Sequence, residues 1–172
     1  MHEPQARVPT APEDAAWVYS LARRNDEAVG ILQRVIEIDP NFPRAHFRLG
    51  NIYEDEGKYH HAIDEYEKAV QLSNGDAYYQ GSLGHAYAMS GMLAEAGKSL
   101  NHLEELSAKR YVPPYAIALI YIGMGNKELG LEWLERASAD RSTSVVYLRV
   151  EPTLNSLRSE PRFLTLLQRT NF

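Results

Sequence analysis

Cysteine is absent from the 172 residues. That removes disulfides, thiolate zinc sites and cysteine nucleophiles together. Charge of one sign is in no large excess: 18 Lys and Arg against 23 Asp and Glu leave a net charge of −5. Nucleic-acid binding draws on a basic face that displaces counterions, and this mildly acidic chain has no Lys/Arg run to supply one. Long apolar runs are missing as well. No stretch approaches the roughly 18 residues that cross a bilayer, and the start, MHEPQARVPTAPED, has no apolar core of the kind a signal peptide needs. The expectation is a cytoplasmic chain with no membrane and no nucleic acid among its partners. Catalytic signatures are also lacking: there is no HExxH, no Gly-rich phosphate loop and no GxSxG. His60 and His61 adjoin in a helix start and point in different directions. His102 and Glu105 can share a helix face, but no third ligand accompanies them. No catalytic residue, metal or cofactor is therefore assigned, and the chain reads as non-enzymatic.

What is present is a period. Stepping by 34 from Gly50 lands on Ala16, Gly84 and Ala118, and stepping from Tyr53 lands on Tyr19, Tyr87 and Tyr121. A regular spacing of this length means stacked helical hairpins. By the period the repeats are 9–42, 43–76, 77–110 and 111–144, with hairpin character ending near Ser142. Residues 1–8 read as a loose N-terminal segment and 143–172 as a tail outside the period. In each repeat a first helix carries the small residue and the tyrosine. A short turn follows, at Arg23-Arg24-Asn25, at Glu56-Gly57-Lys58, at Gly91 and at Gly125. A second helix then shows an apolar stripe, such as Ala28, Leu32 and Val35, or Ala62, Tyr66 and Ala69. Asp39-Pro40-Asn41 and Asn74-Gly75 close two of the second helices.

Small residues pair at fixed offsets: Ala16 with Ala28, Gly50 with Ala62, Gly84 with Ala96, Ala118 with Gly130. Two antiparallel helices approach closely where bulky side chains are absent, so these pairs are expected at the hairpin crossings. The tyrosine three residues after the first small residue is expected to fill the gap between successive hairpins. The tail predicts a brief turn over 152–157 and a final helix from about Glu160 to Arg169. Ser159 is its expected N-cap, with Phe163, Leu164, Leu166 and Leu167 on its apolar side. An open solenoid leaves its last apolar face bare, which makes the tail a cap.

On these residues the chain resembles the tetratricopeptide repeat family. The family's Leu-Gly then Tyr of the first helix stands as Leu49-Gly50-Tyr53 and Leu83-Gly84-Tyr87. Its second-helix pattern stands as Ala62, Tyr66 and Ala69, and its closing proline as Pro40. The early tryptophan is replaced by Pro12, His46, Gln80 and Pro114. The resemblance covers residues 9–142. It implies an all-α, right-handed superhelical array of four hairpins plus a C-terminal capping helix. A narrower likeness lies at the end of the chain. Arg110 to Tyr115, Ile117 to Tyr121, Leu131 to Ala137, Tyr147 to Val150, Leu157 to Ser159 and Glu160 to Phe163 resemble the last repeat of many bacterial signalling proteins. In those, the array follows a winged-helix domain, a Ser/Thr kinase or a nucleotide cyclase. Asn155-Ser156 departs from the usual Asp-Pro and Gly130 from the usual Ala. This likeness implies a regulatory interaction module.

The resemblance also implies which side chains face inward, at the second, fifth, ninth, twelfth and thirteenth positions of each repeat. Among them Trp17, Arg44, Phe47, Asn51, Tyr78, His85 and Tyr115 are the candidate contacts for a protein or peptide partner, aromatics being suited to hot spots. Glu13, Leu21, Glu54, Asp55, Met89, Val112, Leu119 and Ile122 complete the set. The competing expectation is that these side chains touch neighbouring helices, the N-terminal segment or the tail, favoured for Leu119 and Ile122. The family's two-carboxylate clamp is incomplete: Arg48 and Asn51 could contribute, but Phe47 stands where a lysine would. Glu54-Asp55-Glu56 is an acidic cluster that could attract a basic partner, although such a run is more often a solvated face, and here it ends a helix beside Lys58. A second expectation for function is self-association through the last repeat and tail, giving a homo-oligomer.

Overall fold

The computed structural model describes residues 12–140 and 148–170, and among these all regular structure is helical. Four hairpins follow one another: α1 (Pro12–Leu21) with α2 (Asn25–Ile38), α3 (Pro43–Asp55) with α4 (Tyr59–Leu72), α5 (Ala77–Met89) with α6 (Leu93–Ser107), and α7 (Pro114–Gly123) with α8 (Lys127–Ala139). A 3-10 turn (Pro152–Leu157) and α9 (Pro161–Arg169) complete the described chain. The loose segment expected over 1–8 and the first residues of the tail lie outside the described residues. First helices lie beside first helices, α1 on α3 and α5 on α7, while α2, α4 and α6 each pack on the first helix of the next hairpin.

One turn geometry is used four times. Arg23, Gly57, Gly91 and Gly125, each 34 residues after the last, have φ of 62°, 71°, 85° and 79°. The residue after each donates its N–H to the carbonyl of the period tyrosine: Arg24 to Tyr19, Lys58 to Tyr53, Met92 to Tyr87 and Asn126 to Tyr121, at 2.8–2.9 Å. This six-residue closure satisfies a carbonyl that the helix end would leave bare, and it needs a left-handed residue at its centre. Helix starts are set locally too. Asp76 accepts the N–H groups of Tyr78 (2.8 Å) and Tyr79 (3.2 Å), Asn126 accepts that of Leu129, and prolines open α3, α7 and α9.

The small residues are buried at the crossings as expected, but the contacts are asymmetric. A Cβ on Gly50 would lie 2.6 Å from the Tyr66 ring, one on Gly84 2.7 Å from the Ile120 side chain, and one on Gly130 2.6 Å from Ile122. Each glycine thus receives a large side chain, and Gly84 does so from the next hairpin. Gly81 meets backbone at the same distance: a Cβ there would lie 2.6 Å from the Cα and the carbonyl oxygen of Ala116. The period tyrosines are half-buried between hairpins. Tyr53 and Tyr87 each pack against two successive apolar clusters. The Tyr87 and Tyr121 hydroxyls reach back to Glu67 and Glu104 on the preceding second helix.

Leu148, Leu154, Leu157, Phe163 and Leu166 close the core of the last hairpin against Tyr115, Leu119 and Leu134. Arg162 clamps α9 to α8 through Glu135 (2.6 and 2.8 Å) and Glu128 (2.5 Å). Two expectations about this end need correction. Glu160, with extended backbone, stands at the N-cap in place of Ser159. Leu164 is 47% exposed, because the apolar side of α9 follows Phe163 and Leu166.

Candidate functional site

The inner row of helices gathers the predicted contact residues, but it gives them unequal access. Phe47, His85 and Tyr115 are 5%, 3% and 1% exposed. They form the floor of the inner face, and in this conformation a partner could not touch them broadly. Phe47 stacks on Tyr79 with centroids 4.5 Å apart and meets Tyr78 edge-on at 5.4 Å, and Tyr78 stacks on Tyr115 at 5.9 Å. These rings bridge α3, α5 and α7. The competing expectation, contact with neighbouring helices and the tail, describes these residues. Trp17, Arg44, Asn51 and Tyr78 stay partly open. Even so, Arg44 bonds Asp14 (2.6 Å), Arg48 stacks over the Trp17 ring (5.1 Å) and the Asn51 amide lies 2.8 Å from the Tyr66 hydroxyl oxygen.

The acidic end of α3 is where the sequence reading fell short. Glu54 is 7% exposed, not solvated. It accepts the Tyr66 hydroxyl at 2.7 Å and the Nδ1–H of His85 at 2.7 Å, so it ties α3 to α4 and α5. A buried carboxylate is tolerable where donors satisfy it in this way. Asp55 stands at the rim. Partial burial of its carboxyl, then the Glu54 charge, push it up to about 6 against the pull of Arg23. The tail brings a third acid. Glu151 is pushed up to about 7, first by burial and then by Asp55 and Glu54, with Arg48 and His85 opposing. Glu54 and Asp55 were legible as inward positions of the repeat. Glu151 had no periodic signal at all.

Glu54 and Asp55 border a cavity of about 440 Å³. The C-terminal ends of α3, α5 and α7 supply Glu54, Asp55, His85, Met89, Ile122 and Gly123, and the 3-10 turn closes it with Pro152, Thr153, Asn155 and Ser156. Helix C-termini carry partial negative charge, which adds to that of the carboxylates. Behind this lining, Thr153 Oγ1 sits beside the buried Tyr115 hydroxyl. Among the described residues no trio of His, Asp or Glu converges so as to hold a metal ion, and no helix is long and apolar enough to cross a membrane.

Comparison with known proteins matches the second hairpin and, one helix earlier, the pair α2 and α3. Residues 43–76 match the family described as Tetratricopeptide repeat, and residues 24–57 match that described as TPR repeat. The chain is similar to Anaphase-promoting complex subunit 3 of Schizosaccharomyces pombe, 24% identical over 97% of this chain and 26% of that protein. It is also similar to Superkiller protein 3 of the same organism, 31% identical over 77% of this chain and 10% of that protein. The chain thus spans about a quarter and a tenth of these relatives. Period, repeated turn, hairpin packing and family match agree: this is a tetratricopeptide repeat protein.

Proposed function

We propose that the chain is a non-catalytic scaffold that binds a peptide or partner domain along its inner face. The observation that carries this reading is the cavity walled by the ends of three successive first helices and the tail. Repeat arrays of this kind offer extended concave surfaces for recognition, and pockets are where anchors of a partner gain most. One relative is by name a subunit of a complex, which agrees with a role in assembly. The likeness of residues 110–163 to repeats of signalling proteins supports a regulatory setting for that binding. Self-association has less support. The tail directs Phe163 and Leu166 inward, leaving Val150 and Leu164 as its exposed large apolar residues among those described.

The test is a random peptide array probed with the wild-type chain and with Trp17→Ala combined with Met89→Ser. Both residues are partly or well exposed, so the fold should survive. Binding is expected to fall sharply in the double variant. Undiminished binding would remove the inner face from consideration.

A further inference from the structure

The walls of the cavity combine two chemistries. Asp55 and the bonded Glu54 bring negative charge, with Glu151 close behind, and Met89 and Ile122 bring apolar surface. No lysine or arginine stands among the described lining residues. The charged groups facing the acids from neighbouring elements are Arg23 near Asp55, and Arg48 and His85 near Glu151. His85 already donates to Glu54. Three helix C-termini point their partial negative charge at the same space. Behind the lining, Thr153 Oγ1 and the buried Tyr115 hydroxyl sit beside each other. An anion would be repelled by these walls, and a purely apolar group would desolvate the carboxylates without pairing them. A long aliphatic stem with a cationic head satisfies both chemistries at once.

We infer that this cavity seats one lysine or arginine side chain of a partner polypeptide. Its head lies beside Asp55 and Glu54, and its stem lies over Met89 and Ile122. The inference rests on the inner-face binding proposed above and specifies its partner as basic at one position. The polarity is opposite to that of a clamp for acidic tails.

Two measurements test it. In the first, the backbone amides of Asp55, Met89, Gly123 and Ser156 are followed by NMR during titration with Nα-acetyl-lysine methylamide, and separately with the norleucine analogue. The lysine compound should shift them and the norleucine compound should not. In Asp55→Asn with Glu151→Gln, affinity should fall roughly tenfold or more. Equal shifts with both compounds, or none with either, would overturn the inference. In the second, the same two proteins are compared on the peptide array. Enrichment of Lys- or Arg-containing peptides that disappears in the double variant supports it. Binding without basic preference overturns it and leaves inner-face recognition standing. An array with no binding removes the inner-face proposal, and the amide shifts then decide the cavity by themselves.

Discussion

Glu151→Gln should make the protein more stable at neutral pH and leave it unchanged in acid. In the fold the Glu151 carboxyl is pushed from its ordinary 4.5 up to about 7, chiefly by burial, then by Asp55 and Glu54, with Arg48 and His85 in opposition. The native state therefore holds this proton more tightly than the unfolded chain does. Stability from this group is full below about 4.5 and is lost as pH rises toward 7, above which the loss is constant. Each pH unit is worth about 1.4 kcal/mol, so the cost at pH 8 is about 3 kcal/mol. Glutamine keeps the shape without the charge, so the variant should exceed wild type by about 2–3 kcal/mol at pH 8 and match it near pH 4.5. The assay is urea unfolding of both proteins at half-unit steps from pH 4.5 to 8. Taking the difference cancels the contributions of carboxylates and histidines common to both. A difference that stays flat across this range, or that grows toward acid, would place the carboxyl in water instead.

Arg23 is the non-glycine member of the four left-handed turns, with φ 62°. Arg23→Gly should raise the thermal or urea midpoint, by about 0.5–1 kcal/mol of stability. Gly81→Ala forces a methyl against the Ala116 backbone at 2.6 Å. Backbone cannot rotate aside, so calorimetry should show a loss of at least about 2 kcal/mol. Tyr87→Ala should cost about 2 kcal/mol, below the loss for a fully buried aromatic because the ring is half-exposed, whereas Tyr87→Phe should cost about 0.5 kcal/mol by urea unfolding. Affinity for the lysine derivative should rise between pH 5.5 and 7.5 as Asp55 ionises through about 6, which a pH series of the NMR titration would check.

The helices, turns and buried stripes were legible because a stacked array is made of local contacts that recur. Gly57, Gly91 and Gly125 announced the left-handed turns, and Arg23 showed that position in the period outweighs residue type. Pro43 and Pro114 open α3 and α7 for the same local reason. The inner face was harder. Aromatics at inward positions suit a partner and suit a neighbour equally, and only the spacing of α3 from α5 decides that Phe47 becomes floor. Glu54 looked like surface because nothing in its own helix shows His85, 31 residues on, arriving to donate a proton bond. His46, standing where the family has tryptophan, is buried between Glu65 and the Pro40 carbonyl, a compensation visible only in three dimensions. Glu151 lies beyond the period, and its place depends on how Leu154 and Leu157 anchor the tail.

The neighbours of α5 meet it in different ways. On one side, at Gly81 and Gly123, it abuts α7 almost main chain to main chain. On the other, α3 reaches it through side chains: the rings of Phe47, Tyr78 and Tyr79 and the Glu54–His85 bond. A column with one fused joint and one cushioned joint flexes at the cushion. Hairpins three and four with the tail should therefore move as one body against the hairpins before them. Because the cavity straddles that cushion, anything lodged there works as a wedge that fixes the angle across it.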